Sequence, residues 1–235
     1  AKADLLAASP AYSDQSGVDW KTAAASAAKV LNHIGGVDGM DPTGWTWYCN
    51  VDDIEKLSPT ESPAEILWRG ERAKSLSLEE DNFPPTLYGN GRINPTQNLV
   101  DAFPMLNGYP VSHLSGEYDE NLPYANRDPR LEAYILYNGC KAGNTNKEIF
   151  TAADGTTNDA LNKVVGRSTR TGYYLRKLLR QDISLDPNAK ADQYHYTPRI
   201  RYTEIFLAYA EAANQAYGPQ DKGGNGYSAY DVVKK

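Results

Sequence analysis

The strongest constraint on the fold is a run of alanines near the beginning of the chain. Five of the six residues from Ala23 to Ala28 are alanine, and Leu31 and Ile34 follow them with helical spacing before Gly35 ends the segment. Because the alanine side chain is small, a neighbouring helix can approach such a surface closely. We therefore predict a helix over residues 18–34 that stacks on a second, antiparallel helix.

Capping residues, prolines and apolar spacing predict further helices at both ends of the chain and one in the middle. They cover residues 1–8, a segment capped by Asn94 that ends at Pro104, a long segment that starts at Thr197-Pro198 and ends at Gly218-Pro219, and a last one from about Tyr227.

The middle of the chain predicts mostly irregular structure. Residues 37–57 and 141–170 are rich in turn-forming residues and read as loops, the second of them on the surface. Residues 131–137 alternate apolar and polar side chains, which predicts a strand. Residues 66–68 fit a short buried strand as well as the helix that Ser62-Pro63 would open, and the local pattern does not decide between them.

Composition excludes several classes of protein. With 30 acidic and 24 basic residues the net charge is −6, which argues against nucleic acid as a partner. No apolar run approaches the length that spans a bilayer. The two cysteines, Cys49 and Cys140, have no metal-binding spacing. The 17 Tyr and 4 Trp outnumber the 4 Phe, which favours hydrated, stacking surfaces.

Five separated stretches carry a resemblance to a known family. They are Leu5–Tyr12, Pro95–Phe103, Arg127–Leu131, Thr171–Lys177 and Arg201–Ala212. The last, RYTEIFLAYAEA, is similar to the RYAEILLxYAEA signature of the SusD/RagB family of outer-membrane nutrient-binding lipoproteins. The others resemble that family's ASPLY, PTQNLVDAF, RDPRL and TGYYLRK segments, in the same order.

The resemblance implies a mostly α fold, in which tetratricopeptide-like helix pairs flank an irregular, loop-rich SusD-type region with short β-strands. It divides the chain into a helical part with a loop (1–57), the SusD-type region (58–196) and a truncated helix pair (197–235). Neither terminus carries a cap, a glycine or a proline. We therefore expect this sequence to be a piece of a longer chain.

The resemblance also implies a function. Family members bind oligosaccharide or polysaccharide without catalysis at the outer-membrane surface and deliver it to a TonB-dependent transporter of the SusC type. An N-terminal lipid, on a cysteine upstream of Ala1, would provide the anchor. No cofactor, metal or nucleic acid is implied.

Trp45 and Trp47 are the first candidates for contact with a sugar, because C–H faces of sugars pack on indole and phenol rings. In an extended segment both indoles would face the same side. The alternative is that this loop buries them over the alanine-rich helix, with the indole N–H groups hydrogen-bonded.

Two further loops supply candidates. Tyr88, Asn90 and Arg92 combine an aromatic ring with groups that hydrogen-bond sugar hydroxyls, and the glycines between them would let a ligand approach the backbone. A plain glycine turn explains the same pattern. Tyr118 and Tyr124 lie in an acidic loop before the Arg127–Leu131 turn, where a ligand-binding loop would be reasonable. The alternative is an ordinary solvated acidic loop.

Two other functions remain open. The alanine-rich helix pairing also suits a helical-repeat scaffold that binds only protein partners. The acidic clusters at Asp52-Asp53, at 79–81 and at Glu117 with Asp119 could supply the carboxylate pair of a glycoside hydrolase, although proximity in sequence does not set their separation. The three histidines lack metal-ligand spacing.

Overall fold

The computed structural model describes residues 1–42, 44 and 65–235. The helices are α1 (Lys2–Ala8), α2 (Ser13–Ser16), α3 (Trp20–His33), α4 (Ser77–Asn82), α5 (Gln97–Ala102), α6 (Pro129–Tyr134), α7 (Tyr202–Tyr217) and α8 (Ala229–Lys234). The strands are β1 (Ile66–Arg69), β2 (Ala73–Ser75), β3 (Ile135–Leu136), β4 (Lys141–Ala142), β5 (Lys147–Glu148), β6 (Tyr174–Leu175), β7 (Gln193–His195) and β8 (Pro198–Arg201). The prediction of a mostly helical chain with short strands is confirmed.

The described residues form two compact units, and each is considered by itself. One contains residues 1–42, 44, 65–71 and 197–235, and the other contains residues 72–196. The division predicted at residues 57 and 196 stays a prediction, because the first boundary lies outside the described residues. None of the helices in the described ranges is long and apolar enough to cross a bilayer.

The first unit is built on the predicted alanine-rich helix. Asp19 caps α3 by accepting a hydrogen bond from the Thr22 N–H at 2.8 Å. The alanine face of α3 packs against α7, and α1 and α8 complete the bundle. The buried side chains are Ala8, Ala23, Ala24, Ala27, Ala28, Leu31, Ile205, Phe206, Tyr209, Ala210, Ala212, Ala213, Ala229 and Val232. Alanines on both α3 and α7 therefore permit the close approach that the sequence predicts.

The start of α7 differs from the prediction. Thr197-Pro198 does not open the helix, because Pro198–Arg201 forms β8 and pairs antiparallel with β1. The helix begins at Tyr202, and the carboxylate of Glu65 takes the place of a local cap. Glu65 Oε1 accepts hydrogen bonds from the Thr203 backbone N–H at 3.3 Å, from the Thr203 hydroxyl at 2.6 Å and from Arg201 Nε at 2.9 Å. Its partners are distant in sequence, so local rules do not reveal them.

The second unit is a set of two-stranded antiparallel ladders around a mixed core. The pairs are β2 with β7, β3 with β6 and β4 with β5. Tyr174 is completely buried, and its hydroxyl donates to the Asp159 carbonyl and accepts from the Thr169 N–H, both at 2.9 Å. A polar handle thus lets a large aromatic occupy the core.

Three further predictions in this unit need correction. Thr96, not Asn94, caps α5, and the Asn94 amide donates instead to the Gly91 carbonyl. Most of the predicted strand at 131–137 is helix α6, because Asp128 caps it and Pro129 occupies its first position. Residues 141–170 include a hairpin and buried core residues such as Ile149, so they are not simply a surface loop.

The cap on α7 leads to a prediction about stability. Replacing Glu65 by glutamine weakens its charge-assisted hydrogen bonds to Arg201 and Thr203, and we expect the free energy of unfolding to fall by about 2 kcal/mol. Glu204→Gln, which removes an exposed ion pair with Lys2, should cost less than about 1 kcal/mol. Urea denaturation followed by circular dichroism measures both, and equal losses would contradict this role for Glu65.

Candidate functional site

A cavity of about 240 Å³ opens on the surface of the second unit. Its floor is apolar and buried, and its rim is polar or exposed. The lining residues are Phe83, Leu87, Tyr88, Asn144, Thr145, Lys147, Ile183, Ser184, Leu185, Asp186, Ala189 and Ala191. An apolar floor with a few polar groups around it is the usual composition of a small-molecule site.

Tyr88 is the aromatic residue on the rim. It follows a 3₁₀ turn at Pro85–Leu87 and adopts the left-handed conformation, with φ of 66°. This conformation is unfavourable for a residue with a Cβ atom, and such strain is concentrated at functional sites. The side chain is 45% exposed. The turn therefore presents one phenol ring to solvent at the edge of the cavity.

The chain after Tyr88 folds back onto the end of α4. The N–H groups of Asn90 and Arg92 donate to the carbonyls of Glu80 and Asp81 at 2.9 and 3.0 Å. Gly89 makes this approach possible, because a Cβ atom there would lie 2.1 Å from the Phe83 carbonyl oxygen. Gly91 is similarly close to Arg167. The two glycines thus accommodate the chain's own backbone, whereas the sequence suggested that they leave room for a ligand.

Lys147 reaches the rim from the β4–β5 hairpin. Its register is fixed by pairing with Ala142. The ammonium nitrogen lies 5.2 Å from the centre of the Tyr88 ring, within the range of a cation–π contact, and 3.5 Å from the Thr86 carbonyl oxygen.

Asp186 lies on the wall formed by residues 183–191. Its Oδ1 accepts a hydrogen bond from the Asn188 N–H at 2.9 Å, which fixes the carboxylate. Ser184 and Ala191 pair across the base of this segment. The cavity thus has one cation, one anion, an amide and hydroxyl groups around an aromatic ring.

Buried Asp159 supports the Tyr88 turn from below. Its Oδ1 accepts a hydrogen bond from the Thr86 N–H at 2.7 Å. Burial raises the pKa of this carboxyl group, while its hydrogen bonds with Thr86 and the charge of Lys147 act in the opposite direction. The turn that carries Tyr88 is therefore held by a side chain more than 70 residues further along the chain.

The family is decided by a match over most of the chain. The model of the SusD family matches residues 67–235, which include every residue that lines the cavity. The chain belongs to the SusD family.

Solved structures with the same fold support the assignment. A SusD-like carbohydrate-binding protein from Bacteroides fragilis is similar with a TM-score of 0.61 and 22% identity, over 87% of this chain and 38% of that one. A second SusD-like protein from the same organism has a TM-score of 0.63 and 24% identity, over 92% and 42%. This SusD-family chain thus spans 38% to 42% of the length of those two proteins. No curated protein matches it.

The other predicted tyrosines of this SusD-family chain pack on their own neighbours. Tyr124 stacks on Tyr137 with ring centres 4.1 Å apart and meets Tyr173 edge-on at 6.4 Å. Burial raises the pKa of Tyr124, and it raises the pKa of Tyr137 to about 12. One face of Tyr124 is therefore covered by protein. Its role in ligand binding stays a prediction.

Arg127 holds the loop that carries Tyr118. Arg127 is only 7% exposed, and its guanidinium donates to the carbonyl oxygens of Val100, Phe103 and Pro123 at 2.7 to 2.8 Å. It also lies 5.7 Å from the centre of the Tyr118 ring, a cation–π contact. Desolvation raises the pKa of this half-buried tyrosine. Arg127, part of the RDPRL motif, thus ties the loop to the C-terminal end of α5.

The remaining candidates lie elsewhere. Asn90 and Arg92 follow Tyr88 in sequence but are not among the residues that line the cavity, and Arg92 forms an exposed ion pair with Asp81 at 3.0 Å. Trp45 and Trp47 lie outside the described residues. The structure therefore places Tyr88 on the cavity and Tyr118 and Tyr124 in a packed loop, and it does not bring the predicted residues that it describes into one site.

Sequence reasoning missed the polar residues of the rim. Lys147, Asn144 and Thr145 were part of the predicted surface loop at 141–170, and Asp186 was not singled out. The turn-rich run from Gly143 to Asn146, with a lysine on each side, could have indicated a hairpin. It gives no sign that the hairpin packs beside Tyr88.

The strain at Tyr88 leads to a prediction that separates stability from function. The left-handed conformation costs a residue with a Cβ atom about 1 kcal/mol or more, and glycine avoids that cost. We therefore expect Tyr88→Gly to melt at the same temperature as the parent or higher. Tyr230→Gly is a matched control, because this half-exposed tyrosine lies in helix α8, where glycine costs about 1 kcal/mol. A larger loss of melting temperature for Tyr88→Gly than for Tyr230→Gly would contradict the argument.

Proposed function

We propose that this chain binds oligosaccharide or polysaccharide and that the cavity beside Tyr88 contacts the sugar. Membership of the SusD family and the likeness in fold to a carbohydrate-binding protein support the proposal. The observation that carries it is the exposed Tyr88 ring on the rim of a cavity with polar residues around it.

The arrangement suits the two surfaces of a sugar ring. The C–H groups on one face of a pyranose pack on a phenol ring, which buries apolar area and leaves the hydroxyl groups at the edge. Asn144, Thr145 and Asp186 lie on the same rim and offer donors and acceptors to those hydroxyls. Because the backbone fixes Tyr88 before any ligand binds, little conformational entropy is lost on binding.

We further propose that binding is not followed by hydrolysis. A glycosidase needs two carboxyl groups on opposite sides of the scissile bond. Among the described residues that line the cavity, Asp186 is the carboxylate present. Of the predicted acidic clusters, Glu79 is fully buried and accepts a hydrogen bond from the Arg180 N–H at 2.9 Å. These placements favour a binding protein over a hydrolase.

The wider role that we propose follows from the family alone. The full-length protein would reside at the outer-membrane surface through an N-terminal lipid and pass its glycan to a SusC-like TonB-dependent transporter. The first unit, which contains the helix bundle, offers a surface for a protein partner. This surface is an apolar groove of about 370 Å³ between α1 and α7, and Leu6 and Leu207 on its rim are each 59% exposed. A scaffold that binds only proteins is therefore the second candidate.

Calorimetry and affinity electrophoresis against a panel of polysaccharides test the first proposal. We expect binding without release of reducing ends. For Tyr88→Gly we expect the dissociation constant to be at least tenfold larger, because buried aromatic contacts dominate such affinities. Tyr230→Ala is the control, because Tyr230 is also half exposed and also lies beside a lysine, Lys234 at 5.8 Å.

Three results would count against the proposal. Sustained release of reducing ends would indicate a hydrolase. Absence of binding to any glycan, with a transporter still bound, would favour the scaffold. Equal weakening by Tyr88→Gly and Tyr230→Ala would place the sugar away from the cavity.

A further inference from the structure

We infer that the cavity selects a sugar carrying a carboxylate, a hexuronate, and that Lys147 is the residue that recognises this charge. The inference rests on the proposed glycan-binding function and names the class of glycan. It depends on two charged side chains that line the same cavity.

The ammonium group of Lys147 makes no direct ion pair among the described residues, and the buried carboxyl group of Asp159 interacts with it only at longer range. Its Nζ lies 3.5 Å from the Thr86 carbonyl oxygen, at the limit of hydrogen-bonding distance, and 5.2 Å from the centre of the Tyr88 ring. Other lysines of the chain pair with carboxylates: Lys74 with Asp192 at 3.3 Å and Lys190 with Glu80 at 3.0 Å. Lys147 thus retains donors for an anionic partner, at a position fixed by the hairpin.

Asp186 shows that the two charges of the cavity are kept apart. It lines the same cavity as Lys147, yet the two form no ion pair. Its hydrogen bond from the Asn188 N–H leaves lone pairs free to accept from other donors. A bound molecule can therefore satisfy both groups at once, if it offers an anion to Lys147 and hydroxyl groups to Asp186.

A hexuronate stacked on Tyr88 meets both requirements. It has an apolar face for the phenol ring, hydroxyls around its edge and a carboxylate at one end. Because Asp186 repels a carboxylate, the charged end is directed toward Lys147, which sets the orientation of the ring in the cavity. A neutral hexose makes the same stacking contact but leaves the lysine without an anion.

Matched ligands test this inference on the unaltered protein. The ligands are oligogalacturonate, oligomannuronate and glucuronate-containing oligosaccharides, each compared with its methyl-esterified form, together with neutral and sulfated galactans. Since a charge-assisted hydrogen bond is the difference, we expect at least one uronate to bind about tenfold tighter than its ester, measured by calorimetry. We also expect that preference to shrink at high salt.

Two lysine variants test the residue. Lys147→Met should remove the preference for the uronate, so that the uronate and its ester bind with dissociation constants within about twofold of each other. Lys141→Met is the control, since Lys141 is exposed on the paired strand of the same hairpin and does not line the cavity. If Lys147→Met fails to fold, as judged by its melting temperature, Lys147→Gln replaces it.

The outcomes separate this inference from the proposed function. Equal binding of uronate and ester, binding of neutral glycans alone, a Lys147 dependence confined to sulfated glycans, or unchanged selectivity in Lys147→Met would each overturn it while leaving glycan binding intact. Failure of the parent to bind any glycan would overturn the proposed function itself.

Discussion

The return of residues 89–92 onto the end of α4 is the constraint on which the site depends. The N–H groups of Asn90, Gly91 and Arg92 donate to carbonyls between Glu80 and Phe83, groups that the end of a helix leaves without partners. The fold-back requires glycine at position 89, and it places Tyr88 at its outer corner with a positive φ. These bonds offset a conformational cost of about 1 kcal/mol or more at Tyr88.

Distant segments then complete the cavity around that corner. Asp159 fixes the turn through the Thr86 N–H, and the hairpin brings Lys147 within 5.2 Å of the Tyr88 ring centre. The segment that holds Asp186 also lines the cavity. A site held by hydrogen bonds in this way is positioned before binding, which suits the proposed recognition of a flexible glycan at little entropic cost.

The sequence predicts the helical unit well because its signals are local. In α3 and α7, the spacing of the apolar residues along the sequence is enough to indicate which face of each helix is buried. The error in this unit occurs where a distant partner decides: Glu65 moves the start of α7 to Tyr202, and nothing near Thr197 indicates this. The candidate site follows the same division, because Tyr88 is visible as an aromatic in a glycine turn while Lys147 is selected only by tertiary packing.

The central claim is that Tyr88 and its cavity contact the sugar. A crystal structure of the protein soaked or co-crystallised with an oligosaccharide that binds in solution tests it most directly. The account predicts a pyranose ring packed on the face of Tyr88 with its hydroxyls directed at the rim between Asn144 and Asp186. A sugar bound instead against Tyr118 or Tyr124, with the Tyr88 cavity holding only solvent, would contradict it.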